Sequence, residues 1–394
     1  MALIPTFLFG PLLLISWGLL LGFHQTRLFA ASFLALILLR VVFGLVAGSK
    51  AQTFGKERLE YTVDGGEEDD GSSASNALRP NTRSASKAPK MKPTIFFIHG
   101  WPDNSSVWDA QVSHFSKDYR CVRINLPHFS SSSRHPAMGY SFDSLVTLLA
   151  STLAHSLSGR PESPEGGGAG ALLMVHDWGS WYGMQLQRRY PQLVRKMVVL
   201  DVAWVGYKPV PISKAAGMLV AMGVAYQYYA IFTWYVSITV PFVGPHLGGW
   251  MMLPFVSSFS QLPRTSYPDR ETPINAMMNY PYFYLHLSMF LEGVGLVRGF
   301  DDRHGIAGKP PIYGSAETLP VLFIYGADKG FKFHSEKFEA LLRERKNGEV
   351  KAVGVRGEGG KVKKPAGHWI QDSCSDEINE WSREFFEKSH GADE

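Results

Sequence analysis

Cysteine is nearly absent from this 394-residue chain, which holds two, Cys121 and Cys374. Two cysteines cannot build a disulfide framework, and no Cys/His cluster has zinc-ligand spacing. Charge is scarce as well. Asp, Glu, Lys and Arg make up 19% of the residues, below the roughly 25% of ordinary soluble domains. Some apolar surface is therefore expected to face lipid or a partner. The net charge of +4 is small for a nucleic-acid binder, which needs a clustered basic face, so no nucleic-acid partner is expected. A Gly-x-Ser-x-Gly motif is missing altogether, which argues against a serine esterase, lipase or peptidase. What remains is apolar: 45% hydrophobic and 13% aromatic. Such a chain can bury a large core without disulfides or metal, as one large catalytic domain with insertions or as two ordinary domains.

The first 50 residues read as a hydrophobic membrane anchor of one or two helices. Ala2 to Thr26 carries no charged side chain, and a second apolar run, Leu28 to Gly48, holds only Arg40. About twenty apolar residues suffice to span the hydrocarbon layer. A cleaved signal peptide would show a basic start and a shorter apolar stretch. Lys50, Lys56 and Arg58 favour a cytosolic catalytic body under the positive-inside tendency. The sole Asn-x-Ser/Thr sequon, Asn104-Ser105-Ser106, falls in what reads as the mouth of the site, where a glycan would fit poorly. The expected location is an internal membrane such as the endoplasmic reticulum.

Beyond the anchor, short apolar runs alternate with helical patterns. The expected strands are Glu57–Val63, Thr94–Ile98, Cys121–Leu126, Ala171–Val175, Lys196–Leu200, Val321–Tyr325 and Val350–Val355. Helices are expected over Ser141–Leu157, Gly179–Arg189, His334–Arg343 and Ser375–Lys388. Alternation of this kind means a mostly parallel, doubly wound α/β sheet. The expected catalytic core is split, residues 53–205 and 319–394, with a disordered insertion over 64–92 rich in Gly, Glu, Asp, Ser, Asn and Lys. Residues 206–318 interrupt the alternation. Within them Ala215 to Pro263 contains no Asp, Glu, Lys or Arg, yet includes Tyr226, Tyr228, Tyr229, Trp234, Tyr235 and Trp250. A helical lid seated partly in a membrane interface, a transmembrane pair and a water-exposed lid all fit that composition.

The chemistry concentrates in three places. Val175-His176-Asp177-Trp178-Gly179-Ser180 ends a buried strand and opens a helix, the setting of a nucleophile on a sharp turn. The residue at the turn is Asp177. A carboxylate attacking sp³ carbon forms an alkyl ester, so strained or activated carbons are the natural substrates. His99-Gly100-Trp101-Pro102 follows the Thr94–Ile98 strand and is the expected oxyanion and substrate-binding loop. Its Trp101 amide is expected to act beside that of Trp178, with His99 bracing the loop. Ala366-Gly367-His368-Trp369 precedes the final helix, and His368 is the expected general base.

With these residues the sequence resembles the epoxide hydrolase branch of the α/β-hydrolases, through His-Gly-Trp-Pro, His-Asp-Trp-Gly and a late Gly-His-Trp. The resemblance covers Glu57 to about Tyr207 and Pro320 to Lys388, and only loosely the lid. It implies an α/β-hydrolase fold and attack by Asp177 on an epoxide carbon. Lid tyrosines would then protonate the departing oxygen, and His368 would drive ester hydrolysis. It implies no cofactor, and no metal is expected; the apolar lid and the anchor point to a small lipophilic substrate and membrane lipid as partners, protein partners being left open. Two residues compete for the acid that orients His368. Asp328 follows the penultimate strand but sits one residue early for the family's Gly-x-x-Asp spacing, and Asp201 ends the strand after the elbow helix, as in some related haloalkane dehalogenases. Met278-Asn279-Tyr280-Pro281-Tyr282 resembles the family's late lid tyrosine pattern, with Tyr280 first and Tyr282 second. The other lid tyrosine is among Tyr207, Tyr226, Tyr228, Tyr229 and Tyr235. The family's small residue before the elbow is Val175 here, and its Gly-rich turn is His128 to Ser133. A dehalogenase with the same Asp chemistry and a catalytically idle scaffold for membrane-protein interaction are the alternatives. Trp101 occupies the position of the dehalogenases' halide-binding Asn.

Overall fold

The structure is a computed structural model and describes residues 57–65, 91–130, 135–203, 214–240, 243–257, 274–293, 319–329, 332–355 and 365–389. The expected anchor, the bulk of the insertion at 66–90, and Tyr207 lie outside the described residues. The first half of the core runs β1 (Tyr61–Asp64), β2 (Thr94–Ile98), α1 (Asp109–Phe115), β3 (Arg120–Ile124), α2 (Phe142–Leu157), β4 (Ala171–His176), α3 (Trp178–Arg189) and β5 (Val194–Leu200). Three lid helices follow: α4 (Lys214–Thr239), α5 (Gly244–Ser257) and α6 (Tyr280–Gly293). The core resumes with β6 (Val321–Gly326), α7 (Glu336–Glu344), β7 (Gly348–Val353), α8 (Ile370–Ser373) and α9 (Ser375–Glu387).

Side-chain alternation dictates the layers. Along β2, Ile95 and Phe97 join one apolar cluster and Phe96 and Ile98 the other, and all four are fully buried. A strand with no polar face needs cover on both sides. The first cluster is closed by Phe115 of α1 and by Ile378, Phe385 and Phe386 of α9. The second is closed by Leu145 and Leu149 of α2, Tyr182 and Leu186 of α3, and Phe338 of α7. Among the described residues the strands form one seven-stranded sheet in the order β1-β3-β2-β4-β5-β6-β7. Only β1 is antiparallel to its neighbour. Ser141 caps α2 by accepting from the Ser144 amide, and Ser335 caps α7 from Phe338.

Two local departures from expectation have simple causes. Strand pairing starts at Tyr61 and not at Glu57, because the Leu59 amide donates to Thr152 Oγ1 on α2 at 2.9 Å. Helix α1 has no strong apolar period; it is launched by a 3₁₀ turn, Ser105–Trp108, whose cap Asn104 accepts from the Ser106 amide. Where the charge-free segment is described it is helical, as α4 and α5, and Ala230, Trp234 and Met252 of these helices join the larger core cluster. Among the described residues no helix is long and apolar enough to cross a membrane.

Candidate active site

Strand order creates the site. From β2 the chain passes through α1 to β3 on one side, whereas β4 lies on the other side of β2. The carboxyl ends of β2 and β4 therefore border a crevice where connections leave in opposite directions, the usual ligand position in open α/β sheets. His99-Gly100-Trp101-Pro102 leaves β2 there, and Asp177 leaves β4.

Asp177 stands between β4 and α3 with φ 51° and ψ −123°, a backbone conformation costing an L-residue about 1–3 kcal/mol. Glycines let the backbone close around it. A Cβ on Gly179 would overlap the carbonyls of Ile98 and His99, and one on Gly100 would overlap the Asp177 side chain and the Trp178 amide. The two carboxylate oxygens of Asp177 differ in their surroundings. Oδ2 accepts from the Trp101 amide at 2.8 Å, while Oδ1 lies 3.6 Å from Nε2 of His368. Burial opposes the charge of Asp177, but His368 and the Trp178 amide outweigh it and hold the carboxyl below the usual range. Its side chain keeps 19% of its surface exposed. His99 does brace its loop. Its Nδ1–H donates to the Gly100 carbonyl at 2.9 Å and its Nε2 accepts from the Leu126 amide at 3.0 Å. Pro102 follows a cis peptide, and the next amide, that of Asp103, donates back to the Gly100 carbonyl at 3.0 Å.

The acid beside His368 is Asp201. His368 Nδ1 meets Asp201 Oδ2 at 2.6 Å. Asp201, at the end of β5 with φ 65°, also accepts from the Gly326 amide at 3.1 Å and pairs with the Lys329 ammonium. Burial would raise this carboxyl, but Lys329 and His368 outweigh it and draw it to about 2. Asp328 is placed elsewhere. Its Oδ2 accepts from the Val355 amide at 2.7 Å and the Ala366 amide at 2.9 Å, holding together the chain after β7 and the chain two residues before His368. Lys329 occupies the third position after Gly326, where the family spacing would put its acid. Burial lowers the His368 imidazole, yet the Asp177 and Asp201 carboxylates outweigh burial and raise it to about 9. His368 is thus an imidazolium between two carboxylates at neutral pH. Beneath it His176 is driven down to about 3, first by burial and then by His368. Its neutral ring donates to the His368 carbonyl at 3.1 Å and accepts from Gln371 Nε2 at 3.1 Å.

The lid supplies the opposite wall. Tyr282 packs edge-on against Trp101 and Trp178, with ring centroids 6.1 and 5.3 Å apart. Its hydroxyl lies 3.4 Å from that of Tyr226 on α4. Burial, chiefly, raises both phenols above their ordinary range, and the Asp177 charge adds to it. Tyr280 points away. It is fully buried, and its ring packs on Gly139 and lies 5.8 Å from that of His128. Tyr228 bonds His286, and Tyr229 donates to the Met251 carbonyl at 2.6 Å. Asn279, itself fully buried, accepts from the Trp101 indole at 2.8 Å while its amide donates to the Ala230 carbonyl and Thr233 Oγ1 of α4. The structure therefore brings Asp177, His368, Asp201, Trp101, Trp178, Gly100 and Tyr282 together, and leaves Asp328, Tyr280, His99 and Pro102 in supporting places. Tyr226, one of five open candidates, joins the group, as do Lys329 and Asn279. Among the described residues no group of three or more His, Cys, Asp or Glu could hold a metal ion.

The sequence model of the alpha/beta hydrolase family matches residues 95–381. Epoxide hydrolase 1 of Caenorhabditis elegans is 29% identical over 113 residues, covering 28% of this chain and 25% of that protein. A haloalkane dehalogenase of Mesorhizobium japonicum is 28% identical over 121 residues, covering 31% of this chain and 36% of that protein. The chain thus spans well under two thirds of the length of either relative. A solved epoxide hydrolase of Bacillus megaterium is 18% identical with a TM-score of 0.47, over 84% of this chain and 97% of that one.

Proposed function

The chain belongs to the alpha/beta hydrolase family, and on that premise we propose that it is an epoxide hydrolase opening lipophilic epoxides to diols through an alkyl ester on Asp177. The observation that carries this reading is an elbow carboxylate facing a pair of lid tyrosines whose hydroxyls lie 3.4 Å apart.

Asp177 Oδ1, the oxygen not held by the Trp101 amide, attacks an epoxide carbon and the carbon–oxygen bond breaks. The departing oxygen takes a proton from Tyr282 or Tyr226, a step of a kind typically worth about 10²–10⁴ in rate. The resulting phenolate is restored by the proton of the His368 imidazolium, so ring opening itself generates the neutral base. Water then attacks Cγ of the ester and gives a proton to His368 Nε2. Negative charge builds on Oδ2, which the Trp101 amide already meets at 2.8 Å, with the Trp178 amide also bonded to the Asp177 carboxylate; one such donor is typically worth about 10²–10³. Collapse expels the diol oxygen, which takes a proton from His368. The new Asp177 carboxyl ionises and its proton returns to His368, so the resting charges are restored.

A haloalkane would need donors for a leaving halide and no acid. The Trp101 indole N–H is already taken by Asn279, which favours the epoxide. Full-length protein with His368→Gln, mixed with a panel of epoxides and haloalkanes and weighed intact, tests the choice. A stable adduct on Asp177 from an epoxide is expected. An adduct from haloalkanes alone refutes the reading in favour of dehalogenation, and no adduct from any panel member favours the idle scaffold.

The protein is further proposed to act at an internal membrane such as the endoplasmic reticulum, anchored by residues 1–50 with its catalytic body in the cytosol. The charge-free run Ala2 to Thr26 supports this, as do the exposed Phe232 of α4 and Leu247 and Trp250 of α5. Lipophilic substrate would then arrive from the bilayer. Alkaline carbonate should leave the full chain in the membrane pellet, and its release would refute the anchor.

A further inference from the structure

Lys329 has no part in the reaction above, yet it lies against the acid that serves His368. Its ammonium pairs with Asp201 Oδ1, and its side chain is 8% exposed. The ammonium sits 4.9 Å above the Phe333 ring, whose centroid is 4.8 Å from that of His368. The site is thus a row of alternating charges: Asp177, His368, Asp201, Lys329. Burying an ammonium is expensive unless it is paired, and the backbone already gives Asp201 a partner in the Gly326 amide. A neutral donor would have satisfied the remaining lone pair.

We propose that Lys329 is a positioning residue of the ester-hydrolysis step: its ammonium takes up part of the Asp201 charge, so that His368 can release its Nε2 proton and act as base once Asp177 is esterified. The inference rests on the reading of Asp177, His368 and Asp201 given above. Without the cation, two carboxylates would share one imidazolium in the free protein. After esterification Asp201 alone would still hold that proton firmly, and water would meet a protonated His368. Other charged or titratable groups face these two. Lys332, His334 and, through them, Glu339 of α7 lie on the Lys329 side, and neutral His176 lies under His368. Lys332 and Glu339 pair with one another at 2.8 Å.

The test compares K329M, K329Q and K329R in the full-length protein. Histidine-selective labelling, with His368→Gln to assign the signal, follows the titration of His368 by NMR without any substrate. In K329M and K329Q, His368 should titrate at higher pH than in the parent by at least about one pH unit, and K329R should restore the parent curve. K329Q keeps a hydrogen-bond donor toward Asp201, so a merely structural tether predicts a parent-like curve there. With an epoxide that the parent turns over, ester on Asp177 should build up at pH 7 in both neutral variants. It should clear as pH rises, with kcat lowered at least about tenfold at pH 7 and the rate of ester formation held. An unchanged His368 titration in K329M or K329Q overturns the proposal whether or not any epoxide is a substrate. Absence of ester from every epoxide overturns the functional reading and leaves the titration result standing on its own.

Discussion

Replacing Asp201 by Asn removes a charge without removing a shape. Asp201 meets His368 Nδ1 at 2.6 Å and Lys329 on its other oxygen, so the substitution acts in two ways. At an effective dielectric of about 20, a charge pair near 4 Å is worth about 4 kcal/mol, and much of the stabilisation of the His368 imidazolium is lost with it. An asparagine can also present its amide N–H to Nδ1, which fixes the wrong tautomer and leaves Nε2 protonated when it should accept. In the serine-protease triad the corresponding change lowers kcat about 10⁴-fold, and a loss of about 10³–10⁴ in ester hydrolysis is expected here. Ring opening does not need the acid, so Asp201→Asn should form its ester on Asp177 and then stall. The unpaired Lys329 should meanwhile cost about 3–5 kcal/mol of stability. Asp328→Asn is the matched control. It keeps an oxygen for one of the two amides that Asp328 holds, so it should cost about 1–3 kcal/mol and lower turnover by less than about tenfold. Rapid quench with intact mass, together with thermal melts, reads both quantities. Stalling in Asp328→Asn with no stalling in Asp201→Asn would refute the assignment of the acid.

Two further outcomes follow from the same geometry. Tyr282→Phe and Tyr226→Phe should each slow ester formation by at least about tenfold, the double variant by about 10²–10⁴, while Tyr280→Phe leaves it within about twofold; stopped-flow quenching of tryptophan fluorescence measures the step. Stability should depend on pH through His368, whose folded value of about 9 exceeds the roughly 6.5 of an unfolded histidine. That contribution is complete below about pH 6.5 and is lost as pH rises through about 9, on the order of 3 kcal/mol at most. Urea melts at pH 6.5 and 9.5 should therefore differ more in the parent than in His368→Gln.

What the sequence made legible was whatever is carried by adjacent residues. The apolar runs set the core strands to within a few residues, because a doubly covered strand has no polar position to blur it. Asp177 and His368 announce themselves through their neighbours, Trp178-Gly179 and Gly367-Trp369. The acid does not. Asp201 and Asp328 both end strands, and what separates them is a hydrogen bond spanning 167 positions in one case and a loop clasp in the other. The lid tyrosines fail for a helical reason. Tyr280 and Tyr282 are two apart, and residues at that spacing face different ways on a helix, so one turns to His128 and the other to Trp178. Lys329 leaves no trace in composition, since a lone lysine after a strand normally points to water. Asn279 was visible only as part of a tyrosine pattern, whereas its side chain reaches the Trp101 indole 178 positions away.

That reach gives the molecule a mechanical logic. One carboxamide is fastened at the same time to the residue whose main-chain N–H faces Oδ2 and to the backbone of α4. A displacement of α4 would pull on this fastener, and so on the very donor that steadies the anion of the second step. Asn279→Ala should therefore loosen Trp101 and α4 together, a coupling that neither element's own sequence neighbours would suggest.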